Sequence, residues 1–129
     1  MDNWELLDSR GFEHLKLGDD RASIRARFGL YRTVRRWGTT ETDQFLDLGF
    51  IVQYTTDDLA SFIELSGPVL PTLKGIPLIG RPVAEVVEEL RMGGMSISVV
   101  DEERLRINEW EVGIYAPDGI VEAMSVGNN

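Results

Sequence analysis

The 129-residue chain contains no cysteine and a single histidine, His14. The lack of cysteine excludes disulfides, thiolate metal sites and cysteine nucleophiles. A Ser-His-Asp triad or a histidine metal site would have to be built on His14, and the sequence has no Gly-x-Ser-x-Gly nucleophile motif beside it. The pair Gly93-Gly94 lacks the lysine that a phosphate-binding loop requires. We therefore expect a protein that is not an enzyme and that holds no metal or cofactor.

Long apolar runs are also absent. The most apolar stretch, residues 68–79, is interrupted by two prolines, a lysine and a glycine, so we expect no membrane span and no membrane partner. The first eight residues carry three acidic and no basic side chains, which is unlike the start of a signal peptide. These features together predict a cytoplasmic protein.

Basic residues are scarce, with 13 lysines and arginines against 22 acidic residues and a net charge of −9. This balance argues against nucleic acid as a partner, because phosphate binding needs a basic surface. The charge is uneven: residues 10–36 hold eight basic and three acidic side chains, and the rest of the chain is strongly acidic. One interpretation is a solvated surface of uneven charge. The other is a large acidic face that meets a basic protein partner.

Many of the acidic residues form four clusters. The predicted elements place these clusters at a helix start, a hairpin turn, the solvent-exposed face of a helix and an inter-strand loop. The clusters are Asp19-Asp20, Asp57-Asp58, Glu85 with Glu88-Glu89, and Asp101-Glu102-Glu103. Acidic side chains in such places serve capping, turn formation and solubility. A two-carboxylate hydrolase instead needs acids held at a set separation across a cleft. The clusters therefore indicate no catalytic pair.

Two segments of the sequence resemble each other at a spacing of 62 residues. The register superposes five pairs of similar residues: Leu17 on Ile79, Gly18 on Gly80, Ala22 on Ala84, Ile24 on Val86, and Phe28 on Leu90. Further along, the segment 54–59 matches 115–120 after a shift of one residue. An internal repeat of this kind predicts two copies of one supersecondary unit.

Each half predicts one helix followed by three strands. The helices cover residues 20–28, capped by Asp19 or Asp20, and residues 82–92, where Pro82 occupies the first turn. Apolar and β-branched patterning predicts strands at 31–37, 45–54, 59–65, 95–100, 105–115 and 120–126. We thus expect a single domain over residues 1–129, with an αβββ unit at 15–66, a proline-rich linker at 67–77 and a second αβββ unit at 78–126. The fold class is α+β: one antiparallel sheet of about six strands, with both helices on one face and the other face open.

A glycine, a polar pair and a short helix ending in Phe-Gly, here Gly18-Asp19-Asp20 through Phe28-Gly29, precede a meander of strands. Present twice, this arrangement resembles the tandem α/β repeat of the β-lactamase inhibitor proteins. The half-motif is also similar to that of small outer-membrane assembly lipoproteins of the SmpA/OmlA type. The resemblance implies an architecture that binds other proteins through its exposed sheet face.

Aromatic and acidic residues on the predicted open face are the candidate partner-binding residues. Trp110, between Glu109 and Glu111 on the strand 105–115, has the character of an interface anchor. The other candidate anchors are Tyr54 and Tyr115, and the candidate steering acids are Asp57, Asp58, Glu109 and Glu111. The function these residues favour is an immunity- or inhibitor-type protein that neutralises a basic protein partner, for example a toxin.

Two alternatives remain open from the sequence. One is a homodimeric structural or regulatory subunit, in which the basic first helix with Arg21, Arg25 and Arg27 meets the acidic second helix of a neighbour. The other is a protein that binds a small ligand in a pocket between the helices and the sheet.

Overall fold

The computed structural model describes residues 4–35 and 41–127. The secondary structure consists of two helices, α1 (Arg21–Phe28) and α2 (Val83–Met92), and short strands. The strands before α2 are β1 (Glu5–Leu6), β2 (Arg32–Arg35), β3 (Glu41–Phe45), β4 (Phe50–Tyr54), β5 (Ala60–Leu65), β6 (Thr72–Leu73) and β7 (Ile76–Pro77). The strands after α2 are β8 (Ile97–Val99), β9 (Arg104–Ile107), β10 (Val112–Tyr115) and β11 (Ala123–Gly127).

Eight of the strands form one antiparallel sheet in the order β2-β3-β4-β5-β11-β10-β9-β8. The centre of the sheet is the pair β5–β11, in which Leu65 faces Met124 and Phe62 faces Gly127. The α+β class with a mostly antiparallel sheet is therefore confirmed, but the expected number of about six strands is wrong.

The two strands missing from the predicted count have different causes. In the first half, the predicted strand 45–54 covers β4, the turn at residues 46–49 and only Phe45 of β3, so most of β3 was not predicted as a strand. In the second half, the predicted strand 105–115 is two strands, β9 and β10, joined by a turn at 108–111. Apolar residues flank that turn on each side, so the sequence pattern predicts one continuous strand.

The segment between the two predicted units is more ordered than expected. It contributes β6 and β7, which form a small second sheet in the order β1-β6-β7. The pairing of β1 with β6 is parallel, with Leu6 opposite Leu73. Pro77 is accommodated because it lies at the end of β7, where a missing N–H costs least. The segment 67–77 therefore contributes strands of its own, and the expectation of a clean two-unit repeat architecture is wrong.

Both helices contribute to one hydrophobic core. Ile24 from α1 and Val86 and Leu90 from α2 are fully buried in the same cluster as the inward side chains of the sheet. Asp20 caps α1, because its side chain accepts a hydrogen bond from the backbone N–H of Ser23. At the α1 end of the core, Phe28, Phe45 and Phe50 pack with ring centroids 4.8–6.0 Å apart. No helix of the described part of the chain has the length and apolarity needed to span a membrane.

The entry into each helix is tied to the sheet by matching backbone hydrogen bonds. The N–H of Gly18 donates to the carbonyl of Ala60, and the N–H of Gly80 donates to that of Val121. The isolated bridges Asp20–Leu59 and Pro82–Ile120 correspond in the same way. These pairs share the 62-residue spacing on the helix side and the shift of one residue on the strand side.

Candidate functional site

The face of the sheet opposite the helices carries a trough with a volume of about 760 Å³. Its floor lies over β10 and β11, where the outward residues are small: Gly113, Ala123 and Ser125. Gly113 lies directly opposite Ser125, and a Cβ atom at position 113 would come within 2.7 Å of the Ser125 Oγ. The small residues therefore keep this part of the sheet surface concave.

One row of the pleat crosses the whole sheet and defines the trough. Strand pairing aligns the outward-facing residues in the order Arg32, Gln44, Ile51, Glu64, Ser125, Gly113, Arg106 and Ser98. Because directly paired residues of neighbouring strands lie on the same face, these side chains share one surface. The trough thus has small residues in the middle of this row and long charged residues on either side.

Charged and aromatic side chains form the walls of the trough. The Arg106 Nη2 lies 2.9 Å from the Glu111 Oε1, and both side chains are exposed. The guanidinium of Arg104 lies 6.0 Å from the centre of the Tyr115 ring and pairs with Asp101 at 3.2 Å. Exposed pairs of this kind hold side chains in place but contribute little to stability.

Three glutamates and two arginines line the trough. The glutamates are Glu64, Glu111 and Glu122, and the arginines are Arg104 and Arg106. The exposed Glu122 lies beside Tyr115, because its N–H donates to the carbonyl of Tyr115. Among the described residues Glu122 takes part in no ion pair. The lining therefore has an excess of negative charge and can attract a cationic group beside Tyr115.

A second polar cluster lies on the opposite face, beneath α1. The fully buried carboxylate of Asp43 accepts hydrogen bonds from the Arg25 Nε at 2.7 Å and Nη2 at 3.0 Å. Asp43 also accepts from the Thr33 Oγ1 at 2.8 Å and from the Tyr54 hydroxyl at 3.0 Å. Arg21 lies over the Tyr54 ring and contacts Asp43 at 3.4 Å. The cluster satisfies a buried charge and fixes α1 to β2, β3 and β4.

Burial and hydrogen bonding act in opposite directions on the Asp43 carboxyl. Burial raises its pKa, but the hydrogen bonds from Arg25, Thr33 and Tyr54, with the charge of Arg21, outweigh that effect and hold the pKa of Asp43 below its ordinary value. Burial, and then the neighbouring Asp43 charge, raise the pKa of the Tyr54 phenol well above its ordinary value. Asp43 is therefore charged and Tyr54 neutral at physiological pH, which suits a structural role.

The structure separates the predicted partner-binding residues into groups. Tyr54 is 1% exposed on the helix side of the sheet, so its placement on the open face is wrong. Asp57 and Asp58 lie in the exposed turn between β4 and β5. Asp58 pairs with Arg21 at 3.2 Å and thus borders the buried cluster rather than the trough.

The remaining candidates lie near the trough or in the turn that leads to it. Tyr115 and Glu111 line the trough. Trp110 lies in the β9–β10 turn and is half-buried against the core, so the expectation of a residue within a strand 105–115 on the open face is wrong. Glu109 accepts hydrogen bonds from the backbone and side chain of Ser96, and these bonds lower the pKa of Glu109.

Sequence reasoning did not find most of the trough. Arg104 and Arg106 were not among the candidates, although their alternation with Leu105 and Ile107 is the pattern of a half-buried strand. Nothing in the sequence pattern identifies Gly113 and Ser125 as trough residues, because small residues indicate a concave surface only when the neighbouring strands are known. Arg21 and Arg25 were considered as residues that meet a neighbouring copy, but the structure buries most of both side chains against Asp43.

No family model, no curated protein and no solved structure matches the chain. Within residues 4–35 and 41–127, no group of three histidine, cysteine, aspartate or glutamate side chains is placed to hold a metal ion.

Proposed function

We propose that this chain is a non-enzymatic protein-binding module that holds a basic segment of a partner protein in the trough. The observation that carries the proposal is a concave, open sheet face of about 760 Å³ with small residues on its floor and three glutamates against two arginines in its lining. An immunity- or inhibitor-type protein that covers a basic surface of its target would act in this way. Of the three anchors expected from the sequence, only the half-buried Tyr115 lines the trough.

The charges of the trough favour a cationic side chain over an anionic one. Arg104 and Arg106 each already have a carboxylate partner, Asp101 and Glu111, at 3.2 and 2.9 Å. Glu122 lines the trough as well and takes part in no ion pair among the described residues. A lysine or arginine of a partner placed beside Tyr115 would meet the Glu122 carboxylate and the face of an aromatic ring.

The experiment is a titration of the isotope-labelled protein with two extended peptides of equal length, followed by amide chemical shifts. One peptide alternates lysine with valine, and the other alternates glutamate with valine. The lysine peptide is expected to shift the amides of Gly113, Tyr115 and Ser125, because these residues line the trough. The glutamate peptide is expected to shift none of them.

Glu122→Lys and Asp57→Lys make the same change of charge on exposed residues, but only Glu122 lines the trough. Glu122→Lys is expected to weaken binding of the lysine peptide by about tenfold, and Asp57→Lys by much less. Equal weakening by both variants would show a general effect of net charge. That result, or binding of the glutamate peptide at the same amides, would overturn the proposal.

The volume of the trough favours one further candidate, a binding site for a small ligand. A volume of about 760 Å³ lies within the range of ligand pockets. The trough lies on the open face, however, and not between the helices and the sheet as the sequence suggested. Binding of small cationic molecules such as arginine amide, at affinities equal to that of the peptide, would favour this candidate.

A further inference from the structure

The strand β8 is one edge of the large sheet, and its free side has the features of a pairing surface. The N–H of Val100 donates to the carbonyl of Arg104, and the N–H of Asn108 donates to that of Ser96. Because hydrogen-bonded pairs alternate along an antiparallel ladder, the backbone groups of Ile97 and Val99 point away from β9. Among the described residues, no strand pairs with this side of β8.

The two edges of the sheet differ in how they are protected. The opposite edge, β2, begins and ends with arginines, Arg32 and Arg35, and charged side chains discourage pairing with another chain. The strand β8 contains no charged residue and no proline. Val99 and Val100 are 74% and 60% exposed. An unprotected apolar edge of this kind is a template for a further strand.

We propose that β8 pairs antiparallel with β8 of a second copy of this chain, so that two sheets join into one across a two-fold axis at Ser98. In this register Ile97 of each copy lies opposite Val99 of the other, and these two residues exchange both of their outward backbone hydrogen bonds. Val100 would lie opposite Ser96 of the second copy. The apolar side chains of the edge are then covered by each other.

Charges at the two ends of β8 support a second copy as the occupant. After the strand comes the exposed acidic turn Asp101-Glu102-Glu103. Before the strand lie Gly93 and Gly94, and the Lys74 Nζ donates to the carbonyl of Gly93 at 3.3 Å. The antiparallel pairing places the end of β8 of one copy, with its acidic turn, beside the start of β8 of the other, where Lys74 lies. The same attraction then acts at both ends of the paired strands.

The first test is sedimentation velocity of the full chain from low to high micromolar concentration, with amide hydrogen exchange measured at both extremes. The expected result is a mass that rises toward twice 14.5 kDa. The amides of Ile97 and Val99 are expected to become protected in parallel with that rise. A chain that stays monomeric at every concentration would overturn the proposal, as would a dimer in which these two amides exchange freely.

Variants locate the interface. Val99→Lys is expected to weaken the dimer by about tenfold or more, because it introduces a charge on the pairing edge. Leu30→Lys makes an equivalent change at a residue that is 78% exposed beyond the end of α1, and it is expected to leave the dimer unchanged. Glu102→Lys should weaken the dimer and Glu102→Lys with Lys74→Glu should restore it. Circular dichroism verifies that each variant is folded, and a dimer insensitive to Val99→Lys would contradict the proposal.

Discussion

Asp43 on β3 accepts two hydrogen bonds from the guanidinium of Arg25 on α1, at 2.7 and 3.0 Å, with its carboxylate fully buried. The pair is the centre of a cluster that joins the first helix to the sheet by charge as well as by apolar contact. Four partners surround the carboxylate: Arg25, Arg21, Thr33 and Tyr54. The contribution of this cluster to stability can be tested one group at a time.

Asp43→Asn is expected to lower the free energy of unfolding by about 3 kcal/mol, because it leaves two largely buried guanidinium groups without their shared counterion. Urea denaturation measures the change. Asp57→Asn removes a carboxylate from an exposed turn and serves as the control, with an expected change within about 0.5 kcal/mol. Equal losses in the two variants would contradict the structural role of Asp43.

Asp43 should make the free energy of unfolding depend on pH in the acidic range. Its folded-state pKa lies below the ordinary value of 3.8, so its stabilising contribution is fully present above that value and is lost as the pH falls through the lowered pKa. The difference in unfolding free energy between the wild-type protein and Asp43→Asn should therefore shrink as the pH is lowered below about 4. Urea unfolding at a series of acidic pH values measures it. A difference that stays constant to the lowest pH would contradict the assignment.

Tyr54→Phe is expected to cost about 1.5 kcal/mol, since the hydroxyl donates to the charged Asp43 carboxylate in a buried site. The raised pKa of Tyr54 gives an independent spectroscopic test. In an alkaline titration followed by tyrosinate absorbance, the folded wild-type protein and the variant should show the same amplitude up to about pH 11. A larger amplitude for the wild-type protein would mean that Tyr54 ionises and is not buried against Asp43.

Gly49 and Gly80 have the same φ of 84°, but they differ in the space around a side chain. A Cβ at Gly49 would lie 1.6 Å from the backbone oxygen of Gly67, whereas a Cβ at Gly80 would meet nothing within 4 Å. Gly80→Ala is expected to cost about 1–2 kcal/mol from backbone strain alone. Gly49→Ala should cost more than about 4 kcal/mol, because backbone cannot move aside easily. Thermal unfolding of both variants tests the close approach of the β3–β4 turn to Gly67, and equal costs would refute it.

The elements that have local sequence signals were predicted well, and the errors have separate physical causes. The helix at 20–28 and the cap at Asp20 follow from capping chemistry and from the spacing of Ile24 and Phe28, which involve only neighbouring residues. The turn at 108–111 was missed because it contains no glycine or proline, and Glu111 adopts a positive φ of 54° without one. Tyr54 was assigned to the wrong face although the alternation of β4 places it with Phe50 and Val52, because which face of the sheet the helices cover is decided by the whole fold.

The amino-acid sequence by itself determined the class of the protein: its acidity, its lack of cysteine, its two helices and the 62-residue correspondence between its halves. These properties depend on composition and on residues close together in the chain. Only the tertiary structure decided which charges are buried and where the open face is concave. Asp43 meets Arg25 only when α1 packs on the sheet, and Gly113 meets Ser125 only when β10 and β11 pair in the observed register. A shift of one residue in strand register moves every side chain of the strand to the other face, and the register is fixed by the pairing of the whole sheet.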